Sequence, residues 1–281
     1  MSMKTERLKN CEQIASRIRV NSLKMAHQAG SNGAHMGSCL CIVDIIAALY
    51  GGVLNFKPDH PTWPGRDRFL LSKGHGSITL FSVLEAVGII SEEQLLTFSQ
   101  NGSDLLCTSH ILPESGLEYS NGTLGFGLTY GVGLALASYK TNNPFQVYVL
   151  LGDGECNEGA IWEAAMSAPH FKLSNLTAII DLNSMQSDGK VSDVMNIQLS
   201  AMWEGFGWEV IQIEDGHHIE QLLNAFDQPR KEGKPRVIIA PTIKGKGISF
   251  MENNSDWHHG IITKEIFEKA MMDLSTLTTN Q

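Results

Sequence analysis

Asp153 and Asn183 are the first residues on which chemistry can be built. Asp153 sits in Gly152-Asp153-Gly154 after an apolar run, and Asn183 follows a second apolar run about one helix later. Mg2+ takes oxygen ligands in near-octahedral geometry and is commonly shared between one or two carboxylates and the phosphates of a bound molecule. Asp153 offers the charge, Asn183 a neutral oxygen, and a backbone carbonyl near Met185 a third protein ligand. Diphosphate oxygens and a water would complete the shell. Gly152 and Gly154 let the chain turn sharply and approach a ligand closely, which a Cβ would hinder. Alone, GDG is an ordinary strand-to-helix turn. The asparagine after the next strand, and Glu158 closing GDGxxxEG, favour a metal–diphosphate site.

Such a site needs a sheet edge to hold it. Residues 146–151 (QVYVLL) and 176–181 (LTAIID) read as buried strands. Between them, residues 159–170 carry Ile161, Ala164, Ala165 and Ala168 at helical spacing. The unit is a right-handed β-α-β crossover, in which ligands gather beyond the carboxyl ends of the strands. Further helices are predicted over 8–29, 39–50, 128–138 (small residues suited to close packing), around 219–226, and after 263. Further strands are predicted over 68–72, 208–214 and 236–241, with 113–127 irregular. No repeat, low-complexity segment or linker interrupts the alternation. The expected fold is α/β, one domain over 1–281 with a mostly parallel sheet flanked by helices.

The chain has 281 residues, 42% of them hydrophobic, enough for a full core. Its formal charge of −9 argues against nonspecific nucleic-acid binding, which needs a positive footprint. No stretch reads as long enough to span a membrane and the first twenty residues are not signal-like, so neither nucleic acid nor membrane is an expected partner, and a cytoplasmic location is expected. The polar tail reads as a natural terminus. The five cysteines (Cys11, Cys39, Cys41, Cys107, Cys156) match no zinc or redox spacing and are expected reduced, without a role.

Several spaced blocks resemble the transketolase family. The segment from GDG to Asn183 is similar to its thiamine-diphosphate motif, His35 in GAHMGS with Asp44 nine residues on to its first histidine block, and His75 in KGHGS to its GHGS block. His110 precedes Gly122-Thr123-Leu124-Gly125, and His258 in DWHHG resembles the histidine before the terminal helix, with His259 as a one-residue alternative. The likeness runs over about residues 11–264 and is nearest to the separate N-terminal, diphosphate-binding subunits of split transketolases.

The resemblance implies thiamine diphosphate with Mg2+ (Ca2+ or Mn2+ as substitutes) and metal ligands Asp153, Asn183 and Met185. It implies cofactor contacts from Gly122, Thr123, Leu124, Gly152, Asp153, Gly154, Glu155, Asn183 and Lys244. His35, His75, His110 and His258 or His259 would move protons and bind sugar hydroxyls, work suited to an imidazole that titrates near neutrality. His27, His60, His170, His217 and His218 are read as structural. Glu118 and Glu158 are read as structural carboxylates, and Lys244 and Lys246 are as readily surface residues as cofactor contacts. The resemblance also implies that the pyrimidine-binding domain, with its activating glutamate, is to be expected on another chain. A C-terminal partner subunit is therefore expected, in an α2β2 assembly that transfers a two-carbon ketol unit from a ketose or ketose phosphate to an aldose. Specialised donors (apulose 4-phosphate, a sulfosugar) are alternatives to pentose phosphates. So are a deoxyxylulose-phosphate synthase relative, the α-chain of a 2-oxoacid dehydrogenase and a non-catalytic subunit. GSNGAHMGS departs from the commoner SGHPG form by extra turn residues before His35.

Overall fold

The computed structural model describes residues 3–141, 143–187 and 189–279, the side chains of 277–279 excepted. In chain order it runs α1 (Met3–Gln28), α2 (Met36–Leu40), α3 (Val43–Ala48), β1 (Arg68–Leu71), α4 (Ser77–Ala86), α5 (Glu92–Leu95), α6 (Phe126–Lys140) and β2 (Val147–Gly152). It continues with α7 (Gly159–His170), β3 (Leu176–Leu182), the hairpin β4 (Met185–Gln186) and β5 (Gly189–Lys190), α8 (Val191–Val194) and α9 (Leu199–Gly205). Last come β6 (Glu209–Gln212), α10 (Ile219–Asp227), β7 (Arg236–Pro241) and α11 (Lys264–Thr279).

Five strands form one parallel sheet in the order β1-β2-β3-β7-β6. Alternation along each strand sends successive side chains to opposite faces. Tyr148, Leu150 and Ile179 pack with α1–α4, while Val147, Val149, Leu151, Ala178 and Ile180 pack with α6, α7 and Trp203 of α9. Both faces are thus covered, as a parallel sheet requires. The close fit of α6 depends on its glycines: a Cβ at Gly131 would stand 2.6 Å from Val149 Cγ2, and one at Gly127 2.4 Å from Ser72 Cβ. The small residues of this helix do set its packing distance.

The expected strands and the 159–170 helix are present with ends shifted by a residue or two. Two expectations are corrected. The helix over 39–50 is broken: α2 ends at Leu40, Cys41 and Ile42 form a turn, and the chain resumes as α3 and a π-helical turn over Leu49–Val53. The stretch Met36–Val53 does reach the length and hydropathy of a membrane span, with 78% of it buried. It is an apolar stretch because it packs against α1 and α4 in the core, and its breaks leave no continuous rod.

Candidate active site

Because β1, β2, β3 and β7 are adjacent and parallel, their carboxyl ends open on one side, the place where such sheets bind ligands. Each end contributes: Ser72 and Lys73 after β1, Asp153 after β2, Asn183 after β3, and Thr242 to Lys244 after β7. Lys73, Asp153, Asn183 and Lys244 from these ends, with the loop at His35 and the turn at His258, line a cavity of about 370 Å³. His35, Ser38, Lys73, His75, Leu124, Asp153, Asn183 and Lys244 are among its lining residues.

Asp153 is buried, with Oδ1 accepting from Gly154 N (2.8 Å) and Oδ2 from Ser184 N (2.6 Å). A carboxylate has about four lone-pair sites, so room for a cation remains. Burial, and then the nearby Asp181 charge, pushes its pKa up to about 6, a cost that a bound cation would relieve. Asn183 points its Oδ1 toward Met185 N (3.0 Å) and donates from Nδ2 to Asp181 Oδ2 (2.7 Å). Among the described residues no group of three or more His, Cys, Asp or Glu side chains is placed to hold a metal. The donor set is instead one carboxylate, one amide and the main chain. That suits a hard cation completed by ligand oxygens, and so fits a magnesium diphosphate.

The glycines at the turn act differently from expectation. Neither Gly152 nor Gly154 has a positive φ, so the turn itself does not require them. Close approach is the better account for Gly154: a Cβ there would meet Gln186 Oε1 at 2.9 Å, in the cavity wall. Glu155 also lines the cavity. Its carboxylate accepts from Ser72 Oγ, from Gly125 N (2.8 Å) and from Gly152 N (3.0 Å). Those three donors tie the Gly122–Gly125 loop and the start of α6 to the end of β2 and leave one of about four lone-pair sites. Leu124 reaches the cavity; Gly122 and Thr123 are exposed beside it and are not among its lining residues.

Four histidines gather. The His35 ring lies 5.6 Å from His75, 5.4 Å from His258 and 4.6 Å from His259, centre to centre. Paired backbone bonds between Ala34 and Gly260 (2.8 and 3.0 Å) hold the two loops together. His258 lines the cavity, with its Nδ1 3.2 Å from Lys244 Nζ. His259 is exposed and packs against Gly33, behind His35. Burial, followed by His259, His258 and Lys244, lowers His35 to about 4; burial and then Lys73 hold His75 well below the usual range. Both are neutral imidazoles at neutral pH. His110 does not join them: it is not a lining residue, and its Nδ1 is buried without a hydrogen-bond partner.

Lys244 is buried, its pKa lowered by burial and then by Lys73, whereas Lys246 pairs with Glu252 (3.6 Å). Only Lys244 of the two faces the cavity. Glu118 pairs with Arg66 (2.9 Å) and Arg68 (3.1 Å), and Glu158 stands exposed at the cavity edge. His27 bonds to Ile262 O and stacks on Phe267, and His217 bridges Asp44 (2.9 Å) and Ile243 N (2.8 Å), both structural contacts. The sequence reading missed Lys73, Asp181 and Asn157. Asn157 Oδ1 is buried in the cavity wall with no partner, a polar atom open to a ligand. Lys73, beside GHGS at a strand end, carried a signal; Asp181, inside an apolar run, carried none.

Residues 10–272 match the family model described as "Transketolase, thiamine diphosphate binding domain". The chain belongs to the transketolase family. It is 39% identical over 249 residues to one of the subunits of an apulose-4-phosphate transketolase from Phocaeicola vulgatus, covering 87% of each chain. It is 38% identical over 242 residues to a 6-deoxy-6-sulfo-D-fructose transketolase subunit from Clostridium sp., covering 85% of this chain and 88% of that one. The transketolase structure from Campylobacter jejuni superposes with a TM-score of 0.88 at 32% identity, over 95% of this chain. The chain spans only 43% of that longer one. As a transketolase relative it therefore corresponds in extent to the single subunits it matches and to a thiamine-diphosphate-binding part of the longer proteins.

Proposed function

We propose that this chain is the diphosphate-binding half of a two-chain transketolase, which transfers a two-carbon ketol unit from a ketose or ketose phosphate to an aldose. The observation that carries the reading is the convergence of Asp153, Asn183, Lys244 and three histidines on one cavity at the carboxyl ends of four parallel strands. In this reading Asp153, Asn183 and the Met185 carbonyl hold Mg2+. Lys244 offsets the diphosphate charge, the Lys73 charge being taken by Asp181, and Leu124, Met185, Val194 and Met195 supply apolar wall.

When bound, thiamine diphosphate would supply the carbanion-stabilising chemistry that the transfer needs. This chain's residues do the remaining work on their side of the cleft. Neutral His35 and His75 accept hydrogen bonds from, or take protons from, sugar hydroxyls. His258, held beside Lys244, contacts sugar hydroxyls alongside those two rings, while His259 supports His35 from behind. His110, Gly122 and Thr123 remain proposed contacts only at the open rim, where a second chain would complete the site. That second chain is a C-terminal subunit bearing the pyrimidine-binding domain, in an α2β2 assembly placed in the cytoplasm. The matches to single transketolase subunits over nearly their whole length support a partner, and free cysteines, four of them buried, suit a reducing compartment.

The test is ketol transfer from pentose phosphates, apulose 4-phosphate and 6-deoxy-6-sulfofructose, with Mg2+ and thiamine diphosphate, by the chain alone and with its partner chain. Activity only in the mixture is expected. Full activity from the chain alone, or no cofactor binding in the mixture, overturns the proposal.

A further inference from the structure

We infer that Asp181 is a positioning residue that decides which way the Asn183 amide faces, and through it the affinity for the metal. The inference rests on the reading above that Asn183 is a metal ligand. Asp181 lies at the carboxyl end of β3, fully buried, with Lys73 beneath the cavity. Four donors converge on its carboxylate. Oδ2 accepts from Lys73 Nζ (2.6 Å), Asn183 Nδ2 (2.7 Å) and Cys41 Sγ (3.1 Å), and Oδ1 accepts from Thr242 Oγ1.

Two consequences follow from counting lone pairs. Oδ2 already takes three donors, one of them the Lys73 ammonium, so the oxygen that faces Asn183 has no site left for a cation, whereas each Asp153 oxygen takes one donor. The two ends of an amide are nearly the same size, so packing alone does not choose between its orientations. Asp181 does choose: an ionised carboxylate accepts only, so the amide NH2 must face it and Oδ1 must face the other way. The reversed amide would set oxygen against oxygen at Asp181 and NH2 against the Met185 N–H.

Lys73 keeps this arrangement ionic. Its ammonium and the carboxylate are buried together 2.6 Å apart, each the other's counter-charge. The same geometry accounts for an amide rather than a second carboxylate at 183. An aspartate there would put two carboxylates 2.7 Å apart, where the Asn183 Nδ2 now donates.

The test uses the full chain with its partner and thiamine diphosphate, with Mn2+ as the probe, its binding followed by electron paramagnetic resonance. Asp181→Asn should weaken Mn2+ binding by about 10- to 100-fold, the usual range for a partner that orients a metal ligand. Asn183→Asp should weaken it too, although an added negative charge at a ligand would by itself tighten it. Thr242→Val, which removes a donor from the far carboxylate oxygen, should lower the melting temperature and leave Mn2+ affinity in place; that split separates orientation from general stability. Either carboxyl-site variant binding Mn2+ as tightly as the wild type overturns the inference. If Asp181→Asn does not fold, Asn183→Asp decides it. A wild-type complex that binds no Mn2+ instead fails the ligand reading on which it rests.

Discussion

Replacing Glu155 by glutamine should loosen the cavity floor without changing its shape. The carboxylate now serves three donors: Ser72 Oγ and Gly125 N on one oxygen, Gly152 N on the other. Glutamine has one acceptor oxygen. Placed toward Ser72 and Gly125 it leaves its NH2 against the Gly152 N–H, a buried donor facing a donor. Losing a hydrogen bond to a charged group costs ~1.5–3 kcal/mol, and the stranded N–H adds a desolvation penalty. Against this, a charge whose pKa burial already raises is removed, which returns part of the cost. The net loss is about 2 kcal/mol, or about 4–8 °C in melting temperature at ~2–4 °C per kcal/mol. Thermal melts of the cofactor-free chain read the loss directly, and a titration with thiamine diphosphate and Mg2+ reads whether the Leu124 loop and the β2 end have separated. Glu155→Leu, which strands all three donors, should cost more than Glu155→Gln. If Glu155→Gln melts within about a degree of the wild type and binds cofactor equally well, the tie between the two loops is not what holds the floor.

Other outcomes follow from the same geometry. His35 (lowered to about 4) and His75 (well below 6.5) are neutral when folded, while an unfolded imidazole titrates near its ordinary value. Below about pH 6.5 the unfolded chain therefore binds more protons, so stability falls as pH drops from there toward about 4. Melts of the cofactor-free chain at falling pH should show this, and His75→Asn should flatten the slope; an unchanged slope refutes it. Lys244→Met, which keeps most of the buried stem but removes the charge, should weaken thiamine diphosphate binding by about 10- to 100-fold, the equivalent of one charge-assisted hydrogen bond at ~1.5–3 kcal/mol. An unchanged affinity in a fluorescence titration would take Lys244 out of the diphosphate site.

Local chemistry made half of the site legible in the sequence. Asp153 and Asn183 stand at the ends of two apolar runs joined by a helix, and a β-α-β unit leaves little choice about where those ends lie. The helix over 159–170 and the strand over 236–241 were equally readable, because period and punctuation are properties of neighbouring residues. Motif blocks also brought His35, His75 and the His258-His259 pair into view before any contact was known.

Tertiary structure decided what spacing does not encode. Setting β1 and β7 beside β2 and β3 brings Lys73 and Lys244 to the same floor from residues 171 positions apart. The turn after β7 buries Lys244 and leaves Lys246 with Glu252, and a pair of backbone bonds places His258 in the cavity with His259 behind. Asp181 reads in the sequence as an interruption of an apolar strand. Only the packed sheet shows why a charge is tolerated there: Lys73, Asn183, Thr242 and Cys41 all donate to it. The sequence alone determined the parallel strands, their ends to within a residue or two, and the helix between β2 and β3. Which ends meet, and which buried charge has its partner, was settled by long-range packing.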